Sequence, residues 1–270
     1  MAKVERVRPM ALQDILFSQG FGTRRLCAGL VQQGRVTVEG QVCTDASELF
    51  MPVLEEAGAT RGLAFTVQGQ PWVYAAQAYL MLHKPAGTEC SQRASMHPSV
   101  YTLLPAPLRQ RPRQGQPGVQ AVGRLDEDTT GLLLLSDDGA FIHRMTSPRH
   151  HVPKLYLART RHPLDESQLQ RLAQGVVLDD DPEPVAAQSA RAVQPHVLEL
   201  VLTEGRYHQV KRMVAAVGNR VDALHRHAIG GLTLDVALAP GQWRWLSPAD
   251  LALLREPKCP PAPPTAAAAW

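Results

Sequence analysis

The chain has 270 residues, enough for one large domain or a large and a small one, with 44% hydrophobic and 20% charged residues. Its formal charge is only +3, and its four cysteines (Cys27, Cys43, Cys90 and Cys259) are scattered without a CxxC pair, which argues against a disulfide framework and a zinc site. No apolar run approaches a membrane span and "MAKVERVRPM" lacks a signal-type core, so a soluble, cytoplasmic protein without membrane contact is expected.

Residues 1–9 are charged and read as a flexible N-terminus. Leu12, Ile15 and Leu16 predict a short amphipathic helix stopped by Gly20 and Gly22. Thr23 is placed to cap a second helix, with Leu26, Leu30 and Val31 on its buried face and Gly34 at its end. Val36 and Val38, a Glu39-Gly40 turn and Val42 predict a hairpin, and "LAFTVQG" a further strand. Arg24 and Arg25 open the second helix, where positive charge opposes the macrodipole, so their placement calls for a reason beyond helix stability. After a connector at 73–78, "YLMLHKPAG" reads as an apolar strand and a turn. Residues 105–118 combine four prolines and two glycines with three arginines and read as an exposed loop, and "DDDPEP" (179–184) as another.

Charge is uneven. Residues 80–125 carry six basic side chains against Glu89, and residues 204–227 carry five against Glu204 and Asp222. Two such clusters on a nearly neutral chain predict a localised polyanion footprint, with an ordinary solvated surface as the alternative.

The sharpest feature is "AVGRLDEDTTGLLLLSDDG" (121–139), three carboxylates behind Arg124 and before an apolar run. A magnesium site would need ligands converging from several segments, and no clearly matched second acidic cluster occurs. "DEDTT" also satisfies the D-x-D-x-T pattern of haloacid-dehalogenase-type phosphatases, but there the buried strand precedes the aspartate, whereas here Leu132–Leu135 follows it. The remaining reading uses the whole stretch. Gly123 permits a tight turn, Leu125 plugs the core, Asp126 is presented from a loop, and Thr129–Gly131 lead into a buried strand ended by "SDDG". Glu127 and Asp128 need take no part in it. Further on, Val210, Met213, Val214 and Val217 form a helical stripe that ends at Gly218, with Lys211 at its edge. In "KLYLA", Tyr156 faces away from Leu155 and Leu157.

"TRRLCAGLVQQGRVTVEGQV" resembles the S4 RNA-binding domain, which makes Arg24 and Arg25 candidate RNA contacts. "GRLDEDTTGLLLL" closely resembles the signature of pseudouridine synthases, specifically the bacterial ribosomal-RNA family with an S4 domain in front. The likeness continues through "LHKPAG", "HRMTSPRHHVPKLYLA" (143–158), "EGRYHQVKRMVAAVGN" (204–219) and "LHRHAIGGLTLDVALAPGQWRWL" (224–246).

The resemblance implies an α+β protein: an S4-like RNA-binding domain over 10–72, a linker at 73–78 and a synthase domain over 79–254. The synthase domain carries a mixed, largely antiparallel sheet flanked by helices, and a flexible Pro/Ala-rich tail occupies 255–270. It implies Asp126 as the catalytic aspartate, held ionised by Lys211, with Tyr156 stacking on the target uracil. Arg124, Arg206, His208 and Gln209 are expected to line the pocket, and Lys84 is a further expected RNA contact. No general-base histidine, metal or cofactor is expected. The expected partner is rRNA, with 16S rRNA at a single site favoured over 23S rRNA, either naked or in an assembly intermediate, and the chain is expected to be a monomer. A binding-only assembly factor that keeps this fold is the alternative from another class. Glu89 departs from the family pattern at a position usually uncharged.

Overall fold

The computed structural model describes residues 8–56, 59–112, 118–179 and 181–262. They divide between two compact units, Met1–Ala78 with Leu104–Gln120, and Tyr79–Leu103 with Ala121–Trp270.

In the first unit, Leu12, Ile15 and Leu16 are fully buried on one face of α1 (Leu12–Gln19), as their spacing predicts. Thr23 caps α2 (Arg24–Gln32) by accepting the Leu26 N–H at 3.2 Å. The buried face of α2 is Cys27 and Val31, not the expected Leu26, which is 54% exposed. Cys27 is small and apolar enough to pack, and its choice rotates Leu26 outward by one residue. The strands β1 (Val36–Val38) and β2 (Gln41–Cys43) form the expected hairpin. Glu39 and Gly40 both have positive φ, as a two-residue turn matching the strand twist demands. With β3 (Ala64–Val67) and β4 (Gln70–Val73) they make an antiparallel sheet in the order β2-β1-β3-β4.

The expected exposed loop at 105–118 is corrected. Ala106–Gln110 forms α3, Leu108 is fully buried, and Arg111 is 2% exposed. The Arg111 guanidinium donates to Gln19 Oε1 at 2.9 Å and to the carbonyls of Ala75 (2.8 Å) and Ala76 (3.2 Å), which replace the solvent a buried charge loses. These residues therefore pack in the first unit rather than in a domain spanning 79–254. Residues 113–117, with Arg113, lie outside the described residues, as do 1–7 of the expected N-terminal tail.

The second unit is built on one mixed sheet. Its strands are β5 (Tyr79–Lys84), β6 (Thr130–Ser136), β7 (Lys154–Thr160), β8 (Ser189–Gln194), β9 (Val197–Leu202), β10 (Val221–Ile229) and β11 (Trp243–Trp245), in the order β8-β9-β7-β10-β6-β5-β11. The β6–β10 pair is parallel and the others are antiparallel, matching the expected mixed, largely antiparallel sheet. Leu132–Leu135 of β6 are at most 1% exposed, so both faces of the strand are covered. At the parallel pairing Gly131 has φ +107, and a Cβ there would lie 2.3 Å from the Arg226 carbonyl oxygen. Only glycine lets β6 approach β10 this closely.

Helices α4 (Gly139–Thr146), α5 (Glu166–Gln174), α6 (Gln209–Ala216) and α7 (Pro248–Leu253) complete the unit. Asp138 caps α4 through the N–H groups of Ala140 and Phe141. Two loop expectations are corrected here. Asp181–Val185 pairs antiparallel with Val176–Leu178, the buried Val185 opposite Val176 drawing the acidic segment into a strand. In the expected flexible tail, residues 255–258 are exposed, but Ala262 is 7% exposed and its N–H donates to the buried Glu199 carboxylate at 2.8 Å. Residues 263–270 lie outside the described set.

Candidate active site

The loop before β6 presents Asp126. Leu125 is buried beneath it, and the Thr129 N–H donates to the Asp126 carbonyl at 3.1 Å, closing a tight turn. The turn is held from below by Lys84 at the end of β5. Lys84 is fully buried, and its ammonium donates to the carbonyls of Pro85 (3.0 Å), Glu127 (3.0 Å) and Thr129 (2.8 Å). Burial pulls its pKa below the ordinary lysine value, partly offset by nearby Glu127, Asp128 and Asp126. The expected RNA contact at Lys84 is thereby corrected: three carbonyls occupy the ammonium, and its work is to fix the loop.

The first turn of α6 supplies the opposing charge. Lys211 Nζ lies 3.3 Å from Asp126 Oδ2 and 2.7 and 2.9 Å from the two oxygens of Asp128. Burial works against the Lys211 charge, but the hydrogen bond to Asp128 and the two carboxylates outweigh it and raise its pKa. Asp128 is shifted down despite its own desolvation, because Lys211 donates to it and sits beside it. The Asp126 and Lys211 side chains are 30% and 26% exposed, so the pair is half enclosed and reachable. The sequence reading needs no part from Asp128, and its side chain is 57% exposed. It is nevertheless the closest partner of Lys211.

His208 precedes α6 in a left-handed conformation (φ 48, ψ 31), and its Nε2 lies 3.5 Å from Asp126 Oδ1. Asp126 thus has a basic group beside each oxygen. Gln209, expected to line the pocket, is 4% exposed and braces the turn. Its Oε1 accepts the Arg206 N–H at 2.8 Å, and its Nε2 donates to Glu204 at 3.1 Å. Arg206 pairs with Glu204 at 3.3 Å and is partly exposed. Arg124 is exposed, and its guanidinium has no hydrogen-bond or ionic partner among the described residues. Tyr156, near the middle of β7, is 9% exposed and its hydroxyl makes no hydrogen bond among the described residues. In the first unit Arg24 pairs with Asp14 at 2.8 Å and lies 4.1 Å over the Phe17 ring, an intramolecular reason for its place at the helix start. Arg25 is exposed without such a partner among the described residues.

A carboxylate flanked by an ammonium and an imidazole, on a loop braced by buried hydrogen bonds, is a preorganised anion. It can attack an electrophilic carbon or stabilise positive charge developing beside it.

The model of the family described as RNA pseudouridylate synthase matches residues 78–216, and that of the S4 domain residues 10–50. The chain is 40% identical over 240 residues to the ribosomal small subunit pseudouridine synthase A of Escherichia coli K12, covering 88% of this chain and 97% of that one. The chain belongs to the RNA pseudouridylate synthase family. Enzymes of this family are isomerases acting on RNA, and the S4 domain in front fits that substrate class. The synthase of the same name from Haemophilus influenzae is 35% identical over 229 residues, covering 85% of this chain and 92% of its own. A crystal structure described as pseudouridylate synthase superposes with a TM-score of 0.61 at 32% identity, covering 91% of this chain and 99% of that one.

Family motifs pointed to Asp126 and Lys211, and the structure brings both together with His208. Sequence reasoning left the placement of three residues unread. Asp128 lies within the quoted motif, but only the fold of α6 against the loop brings Lys211 to it. Tyr207 is exposed beside His208, and a sequence does not reveal exposure. Glu89 accepts the N–H groups of Ser95 (3.3 Å), Met96 (3.1 Å) and His97 (2.9 Å), so its departure from the family pattern fastens a loop.

Proposed function

We propose that the protein isomerises one uridine of small-subunit (16S) rRNA to pseudouridine, with Asp126 as the catalytic carboxylate. The observation that carries the reading is the placement of Asp126 between Lys211 at 3.3 Å and His208 at 3.5 Å on the loop of the RLD motif. The N1–C1′ bond breaks, the uracil turns, a C5–C1′ bond forms, and one proton passes from C5 to N1. Atoms balance with no oxidant and no incoming group, so the chain must supply an anion, a base pocket and exclusion of water. Asp126 is the anion, and Lys211 neutralises it between turnovers. Tyr156 stacks on the detached uracil and keeps it in place, a contact type contributing roughly 1–3 kcal/mol per base. Arg124 and Arg206 meet phosphates flanking the extruded nucleotide, and Arg25 meets RNA from the S4 domain. The small-subunit target is supported by 40% identity to proteins named for that subunit.

Incubating the protein with small-subunit rRNA, or with a partly assembled particle, tests the reading. Pseudouridine is mapped by carbodiimide-stop primer extension. One new stop in 16S rRNA is expected. New stops confined to 23S rRNA would contradict the target, and none in either RNA would contradict the activity.

A further inference from the structure

Tyr207 has no part in the reaction just described, yet it stands in the site. It is 71% exposed, although an aromatic ring of this size ordinarily gains by burial. Its ring lies flat against His208, with centroids 3.8 Å apart and planes inclined by 19°. The His208 ring in turn reaches Asp126, Nε2 to Oδ1 at 3.5 Å. Two stacked rings therefore lead from solvent to the carboxylate. One face of Tyr207 is covered by His208, and its exposure leaves the other open.

Mobility does not explain this exposure, because the turn is fastened on both sides of Tyr207. Before it, the Arg206 N–H donates to Gln209 Oε1 at 2.8 Å, and Arg206 pairs with Glu204. At Tyr207 itself the carbonyl accepts from Arg212 at 3.2 Å. After it, His208 adopts the left-handed conformation that aims its ring, one that side-chain-bearing residues adopt rarely and only where surroundings enforce it.

We infer that Tyr207 and His208 form a stacking platform for the unpaired nucleobase next to the target uridine. The inference rests on the reading of the chain as an RNA uridine isomerase. Extruding a uridine from a stack strips one face of its neighbour, and a bare base face is what a flat, open aromatic ring accepts. The platform does not hold the target base itself. A base on the open face of Tyr207 is two ring layers out from His208, while the reacting sugar must sit against Asp126. Every base has a face to offer, so the platform tolerates any neighbour and favours a purine, whose face is larger.

The test uses the full chain and a short single-stranded RNA with 2-aminopurine on one side of a uridine, whose fluorescence falls when the base stacks. Wild type and Tyr207→Phe should quench it with similar affinity. Tyr207→Ala should bind roughly 5- to 100-fold more weakly, the range that loss of one base stack implies. On the rRNA substrate the same variant should raise KM with little change in kcat. An abasic nucleotide beside the uridine should weaken binding to wild type but add nothing to the loss in Tyr207→Ala, since both remove one contact. Unchanged affinity of Tyr207→Ala, or fully additive losses, would overturn the platform while wild-type pseudouridine formation left the isomerase reading standing. Tyr207-dependent quenching without any pseudouridine formation would support the platform and overturn only the isomerase reading.

Discussion

Lys211 is held more tightly by Asp128 (2.7 and 2.9 Å) than by Asp126 (3.3 Å), and this asymmetry has a use. An ammonium bound mainly to Asp126, the carboxylate proposed to act, would compete with substrate for its lone pairs. Asp128 takes up the two shorter hydrogen bonds and leaves Asp126 the longer, weaker contact. Asp128→Asn removes one charge-assisted contact, of a kind typically contributing about 1.5–3 kcal/mol, so kcat should fall roughly 10- to 100-fold with KM nearly unchanged. Single-turnover pseudouridylation checks this, and an Asp128→Asn enzyme with wild-type kcat would contradict it. At this scale the sequence was legible where a residue's neighbours in the chain define its task, as for Leu125 and Asp126 within one loop. It was not legible for Lys84, Asp128 or Glu89, whose partners come from other segments or from backbone groups that no side-chain pattern marks.

The strands β6 and β10 pair in parallel, and β10 carries two buried histidines, His225 and His227, with His83 of β5 beside His225. His225 is 1% exposed, its Nδ1 lies 2.9 Å from Thr130 Oγ1, and His83 and His227 are near it. Burial, with these two neighbours, pulls the His225 pKa down to about 3. The imidazole stays neutral in the fold, whereas the unfolded chain takes up a proton below about pH 6.5. The unfolded state then binds more protons between these values, so stability is full above the upper one and falls as pH drops through the window. Each pH unit removes about 1.4 kcal/mol, or about 2 kcal/mol between pH 7 and pH 5. Urea midpoints should show that loss in wild type and a shallower one in His225→Asn. Equal losses would contradict the assignment. Elements with strong local patterns, such as α1, the β1–β2 hairpin and β6, were legible in the sequence. The helix α3 and the Asp181–Val185 strand were not, because prolines and charges masked segments that tertiary packing orders.

Over the whole molecule, Arg25 in the first unit and Arg124 in the second are exposed and without a partner among the described residues, and under the proposed function both meet RNA phosphate. Affinity for rRNA should fall as salt rises, and Arg25→Ala should reduce the slope of log affinity against log salt by about 0.7 if it meets a single-stranded phosphate. An unchanged slope would remove Arg25 from the interface. No helix among the described residues is long and apolar enough to cross a membrane. The two-part order of S4 and synthase domains was legible because each carries its own motif, while the packing of residues 104–120 with the first unit was not, since it depends on Arg111 finding carbonyls far away in sequence. The most direct measurement compares wild type and Asp126→Asn, equally folded by urea midpoint, in a single-turnover assay on small-subunit rRNA. Wild type should convert one uridine and Asp126→Asn none; conversion at equal rates would contradict the account.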